Sequence, residues 1–387
     1  MERARVAAAG EGGMNLPVYL DYAATTPVDP AVTAAMEPWW TERFGNPHSP
    51  HRWGYAAAAA VAVGRAQVAA LLDCAPERVS FTGGATEAVN WALKGALAGN
   101  PRRRIVTLAT EHSCVLETAR WLERQGAALT VLRVGADGLV DLAELDAALG
   151  PDVALVSAML VNNETGVIQP IAAIAARAHA HGALMHTDAA QGYGKLPCRI
   201  ADLGVDLLSL TAHKLYGPKG IGALYVADGV TLEPLLHGGG QEGGRSGTLS
   251  PALCVGLGTA ATIAAGRMAA DAAHVRALWE RLLGQLDAPH TINGSTAARW
   301  FGTLNLRFDG VDGGRLLSAC RGIAMSAGSA CASGSGRPSH VLAAMGLSAS
   351  QAKSSLRLGW GRFTTAAEID AAAAALNAAT ARLRAAA

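Results

Sequence analysis

The chain has 387 residues, half of them hydrophobic, enough for one large domain and a second, smaller one. Its 32 basic and 31 acidic side chains leave a formal net charge of +1, so no basic field is available to hold nucleic acid or an anionic membrane. No apolar run reads as approaching the ~18–20 residues that span a bilayer, and six cysteines without CxxC or zinc-ligand spacing suggest a reduced, cytoplasmic protein.

Residues 1–16 are rich in Ala, Gly and charge and lack a signal peptide's apolar stretch, so a disordered extension is expected, with Met14 an alternative start. From 79 to 226, short apolar runs alternate with amphipathic stretches. Strands are predicted at 79–82, 105–109, 129–134, 153–159, 183–187, 207–211 and 221–226, and helices at 86–98, 112–124, 142–149 and 171–181. Such alternation predicts βαβ units and a mostly parallel sheet covered on both faces. After Thr248 the pattern changes to a long Ala-rich helix over 251–286, isolated strands at 303–308 and 355–360, and a terminal helix over 366–384. The expected division is a large α/β domain over 17–262, whose first residues could pack with the other domain, and a small α+β domain over 263–387.

Several chemistry-bearing residues fall at predicted strand ends, where α/β sheets bind ligands. Lys214 follows the strand-like run 205–210 and could form a Schiff base with an aldehyde cofactor; taken alone, a solvated surface lysine is the commoner case. Asp188 follows the strand 183–187 and could hold a pyridine nitrogen protonated, though a helix N-cap is its default role. Gln191 could donate to the same ring's phenolic oxygen. The turn Thr82-Gly-Gly-Ala85-Thr86 opens a helix whose N–H groups and dipole favour an anion such as phosphate, with Thr211 and His213 opposite. His112 could stack on a cofactor ring and move protons, or simply cap its helix. Asn163 could hydrogen-bond cofactor or substrate, and Arg357 could clamp a carboxylate bidentately. Cys331 sits amid Gly, Ser and Ala, a setting that suits an accessible thiol. The other five cysteines read as small buried hydrophobes.

Taken in order, the segments 19–27 (Tyr-Leu-Asp-Tyr-Ala-Ala-Thr-Thr-Pro), 44–49, 84–87, 110–112, 162–166, 188–191, 213–214, 217–222, 245–248, 328–331 (Gly-Ser-Ala-Cys) and 359–364 carry a resemblance. The chain resembles cysteine desulfurases of the NifS/IscS type, which use pyridoxal 5'-phosphate (PLP) on the aspartate-aminotransferase fold. The resemblance implies that Lys214 bonds the cofactor, that Asp188 and Gln191 contact its ring and that His112 stacks on it. Ala85, Thr86, Thr211 and His213 would cradle its phosphate, joined by Thr248 from across a homodimer interface. Asn163 and Arg357 would position L-cysteine, and Cys331 would accept its sulfur as a persulfide, leaving L-alanine. The sulfur would pass to an acceptor or scaffold protein, for iron–sulfur cluster assembly, another thio-cofactor or tRNA thiolation. Rival readings are a selenocysteine lyase, another PLP β-lyase or an aminotransferase of the same fold, and a non-catalytic sulfur-transfer scaffold.

Overall fold

The computed structural model describes residues 16–327 and 339–386. The expected extension, apart from Leu16, and Cys331 lie outside the described residues.

Seven strands form the main sheet, in the order β2 (Val79–Thr82), β8 (Gly222–Val226), β7 (Leu207–Thr211), β6 (Leu184–Asp188), β5 (Val153–Ser157), β3 (Arg104–Leu108) and β4 (Ala128–Leu132). All run parallel except β8, which is antiparallel to both of its neighbours. β5 and β7 are buried at every position, as strands covered on both faces must be. Period-2 alternation then sorts the side chains. Ile105, Leu155, Leu207 and Leu224 pack with Val89, Leu93, Val115 and Leu122 on one face, while Val106, Val156, Leu208 and Ala223 pack with Val68, Ile171 and Ile174 on the other. The buried His186 on β6 is satisfied by Ser157 on β5 (Nδ1–Oγ 2.8 Å) and Ser209 on β7 (Nε2–Oγ 2.9 Å). Burial pushes its pKa down to about 3, so it stays neutral.

A second, antiparallel sheet has the order β12 (Ser355–Gly359), β10 (Thr303–Arg307), β9 (Thr291–Ile292). The helix Ala366–Ala385 starts with a capping box, the Thr365 and Glu368 side chains each serving the other's backbone N–H. Near the start of the chain, β1 (Val18–Tyr19) pairs in parallel with β11 (Ile323–Ala324), and Asp21 bridges to Gly359, so the opening residues lie against the C-terminal part.

Two expectations need correction. The helix Arg52–Leu72 was not foreseen: its Ala-rich face gives little amphipathic contrast to read. It packs on the helix Pro251–Leu283 through bare backbone, since a Cβ on Gly258 would lie 2.6 Å from the Gly64 Cα. These same two helices are long and apolar enough to cross a membrane by length and composition, contrary to the expectation that no run approached that limit. Alanine raises the mean hydropathy without supplying large side chains, and close packing of helix on helix uses that property.

Candidate active site

The carboxyl ends of the parallel strands open into a cleft of about 990 Å³. Ala85, Thr86, His112, Asn163, Asp188, Gln191, Thr211, His213, Lys214 and Arg357 all line it. Thr248 does not; it is exposed outside the cleft.

Lys214 closes a single 3-10 turn, Ala212–Lys214, directly after β7. Its Nζ donates to the carbonyls of Ala23 and Ala24, both at 2.6 Å, which holds the amine at the cleft. Two residues later Tyr216 adopts φ 64°, a left-handed conformation that a bulky residue takes only under constraint. Its N–H is satisfied by Thr26 Oγ1 at 2.8 Å and its hydroxyl accepts from the N–H of Arg362 at 2.7 Å, so both flanks fix the turn.

Asp188 is the last residue of β6 rather than the first beyond it, and its Oδ1 accepts from the N–H of Ala190 at 2.9 Å. Burial pushes its carboxyl above the usual range; His112, that N–H and Lys214 pull the other way. His112 is the N-cap of the helix Ser113–Arg124, so the capping role and the place in the cleft coexist. Its Nδ1 accepts from the N–H of Cys114 at 3.2 Å, which puts the proton of the neutral ring on Nε2. Burial lowers its pKa, so the neutral ring is the favoured form.

The helix Ala85–Leu97 begins at Gly84 (φ 149°) with no side-chain cap, which leaves first-turn N–H groups open to an anion. A Cβ on Gly222 would lie 2.8 Å from the Gly84 Cα and collide with the carbonyl of Leu210, so this glycine lets β8 approach the turn. Arg357, almost wholly buried, pairs with Asp21 (Nη2–Oδ1 2.7 Å) and donates from Nη1 to the carbonyl of Asn163 at 3.2 Å. Its backbone exchanges hydrogen bonds with Ser326 (2.6 and 3.1 Å).

An amine, a buried carboxylate, an imidazole, an anion-receptive turn and a guanidinium thus share one cleft. That donor set suits a phosphorylated aromatic aldehyde together with an amino acid. The model of the family described as aminotransferase class-V matches residues 18–372. The chain belongs to the class-V aminotransferase family. Among relatives of this class-V enzyme, a mitochondrial cysteine desulfurase of Eremothecium gossypii is 50% identical over 362 residues, 92% of this chain and 74% of that protein. A solved structure described as a NifS-like protein superposes with a TM-score of 0.88 at 34% identity, covering 95% of this chain and 100% of the other. Another, described as SspA in complex with cysteine, gives 0.82 at 37% identity, with 90% and 99% covered.

The class-V cleft also uses residues that residue-by-residue reading gave no role. The segment 21–26 runs along it: Asp21 meets Arg357, the carbonyls of Ala23 and Ala24 meet Lys214, and Thr25 Oγ1 lies 3.2 Å from His213 Nδ1. Cys114 lines the cleft with its Sγ 3.1 Å from His112 Nδ1 and is only half-buried, which corrects its reading as a small buried hydrophobe. Cys74 is half-buried, and Cys198, Cys254 and Cys320 are buried as expected.

Proposed function

We propose that this class-V enzyme is a cysteine desulfurase that binds PLP in the cleft, converts L-cysteine to L-alanine and takes the sulfur onto Cys331 as a persulfide. The observation that carries this reading is the convergence of Lys214, Asp188, His112 and Arg357 on one cleft. When bound there, PLP would supply an electron sink that stabilises negative charge at the substrate Cα.

The remaining work falls to the chain. Lys214 would bond the cofactor's carbonyl carbon and, once displaced by the substrate amine, move the Cα proton. Asp188 would supply the negative charge that keeps the ring nitrogen protonated. The open turn at Gly84 to Thr86, with Thr211 and His213, would hold the phosphate. His112 would lie on the ring and, through its Nε2 proton, serve as a general acid. Asn163 and Arg357 would orient the substrate, Arg357 through its carboxylate. The Cys331 sulfur would then form an S–S bond as the substrate Cβ–S bond breaks, the electron pair passing to Cβ and a proton following. The balance is one thiol plus cysteine giving one persulfide plus alanine, with no external oxidant.

Among the described residues, Ser326 and Ser339, which precede and follow 328–338 in the sequence, lie beside this machinery. Ser326 pairs with Arg357, and Ser339 Oγ donates to Glu164 at 2.5 Å, next to Asn163. Incubation with L-cysteine and PLP should release alanine and, with a thiol reductant, sulfide in equal amounts. A keto acid in place of alanine would assign the protein to the aminotransferases.

A homodimer is part of the same reading. Trp40, Phe44, Trp53 and Tyr55 are exposed, and an apolar groove of about 330 Å³ is lined by Trp39, Val63 and Val255, side chains that a partner chain could cover. Thr248, outside its own cleft, is then available to a partner's. Sedimentation should give twice the chain mass of 39.5 kDa; a single-chain mass would remove Thr248 from the phosphate site.

A further inference from the structure

We infer that Lys195 is a positioning residue that locks the amide of Gln191, so that one Gln191 N–H always faces the cofactor's phenolic oxygen. The inference rests on PLP occupying the cleft as proposed.

Lys195 lies outside the cleft lining, one helical-turn spacing beyond Gln191. Its Nζ donates to Gln191 Oε1 at 2.9 Å, and Gln191 Nε2 donates to the carbonyl of Ala23 at 2.8 Å. The two contacts fix which end of the amide is which. The carbonyl of Ala23 carries no donor, so it must meet the amide nitrogen whatever the charge of Lys195; Lys195, when protonated, carries no acceptor and must meet the oxygen. A flipped amide would set N–H against N–H⁺ and oxygen against oxygen, costing both hydrogen bonds and leaving both ends of the buried Gln191 amide unsatisfied. With Oε1 held by Lys195 and one N–H by Ala23, the second N–H is the donor Gln191 has left for a cleft ligand.

The same Ala23 carbonyl also accepts from Lys214 Nζ, so one chain of contacts runs from Lys195 through Gln191 and Ala23 to Lys214. The amines sense each other. Part of Lys195 remains exposed, yet crowding of its amine by protein, with the charge of Lys214 second, pushes its pKa down to about 7. His213 in turn is lowered by burial and then by the charges of Lys214, Lys219 and Lys195, and Tyr22 and Tyr216 line the small space beside Lys195 with pKa values raised by burial. Gln191 Oε1 is the hydrogen-bond acceptor found for its amine among the described residues.

An N–H held on the phenolic oxygen favours that oxygen's anionic form, so its loss raises the pH at which the bound cofactor changes colour. The test is a visible absorbance titration of the PLP-loaded enzyme, which reads the cofactor without turnover. In Lys195→Met the midpoint should rise by about one pH unit, the size of a charge-assisted contact. Lys195→Arg, donors only, should return it to within about 0.3 unit of wild type. In a Gln191→Leu background, Lys195→Met should add nothing, because Lys195 acts through that amide. Should the Met variant not fold, Lys195→Gln replaces it, since its amide can face Gln191 with either end and cannot lock it. An unmoved midpoint in the single variant, or an undiminished shift in the Gln191→Leu background, overturns the inference. A wild-type protein that takes up no cofactor colour overturns the PLP reading and this inference with it, and so is distinguishable from a failure of Lys195 alone.

Discussion

Lys214→Ala should abolish retention of PLP through gel filtration and lower alanine production from L-cysteine at least about 10⁴-fold. The side chain has two duties, and the variant removes both. It bonds the cofactor's carbonyl carbon, and it moves the Cα proton afterwards. Its position comes from the carbonyls of Ala23 and Ala24, each 2.6 Å from Nζ. Ala23 keeps the N–H of Gln191 when Lys214 is gone, so one carbonyl rather than two loses its partner. That costs about 1–3 kcal/mol, and the variant should still fold. Lys214→Arg separates charge from chemistry: a guanidinium can keep the carbonyl contacts but does not deprotonate to attack a carbonyl carbon. It should therefore be as inactive as the alanine variant while recovering thermal stability. Absorbance of the filtered protein and an alanine assay check both. Turnover near the wild-type rate in Lys214→Ala would remove the residue from the mechanism.

How far the sequence reveals this site depends on how each residue acts. Lys214, Asp188 and His112 act through side chains placed at strand ends, and apolar runs next to charged residues mark strand ends plainly. The strands 79–82 and 207–211 coincide with β2 and β7, and the long C-terminal-half helix starts at Pro251 as read. The segment 21–26 escapes such reading because it works largely through main-chain carbonyls, at Ala23 and Ala24, which look alike in every sequence. Asp21 escaped for another reason: its partner Arg357 is 336 positions away, and no local pattern joins them. Gln191 was legible as a polar residue after β6, but Lys195 was not singled out, and the contact between them depends on the turn geometry over 189–196, which hydrophobic period does not encode. The helix Arg52–Leu72 shows the opposite limit. It packs on small residues, so the usual signal of large apolar side chains on one face is missing.

Cys331→Ser should leave the bound cofactor's absorbance and the fold unchanged while lowering alanine formation at least about 10³-fold and abolishing persulfide labelling. The nucleophile has to be a thiolate, and the other five cysteines are poorly placed to become one. Burial pushes Cys74 up to about 11, and Cys198 and Cys254 up to about 12. Cys320 is raised by burial too. Cys114 is the serious competitor, since it lines the cleft beside His112. Yet burial, and then the charges of Asp188 and Glu111, hold its thiol well above the ordinary value. His112 cannot relieve this by taking the proton cheaply, because burial lowers its own pKa as well. Cys114→Ser should therefore keep most of the desulfurase activity, whereas Cys331→Ser keeps almost none. Mass spectrometry after a single turnover reads the difference directly, as the added mass of one sulfur on the peptide containing residue 331. Sulfur recovered on Cys114 instead, with Cys331→Ser still turning over, would transfer the nucleophile's role to the cleft thiol.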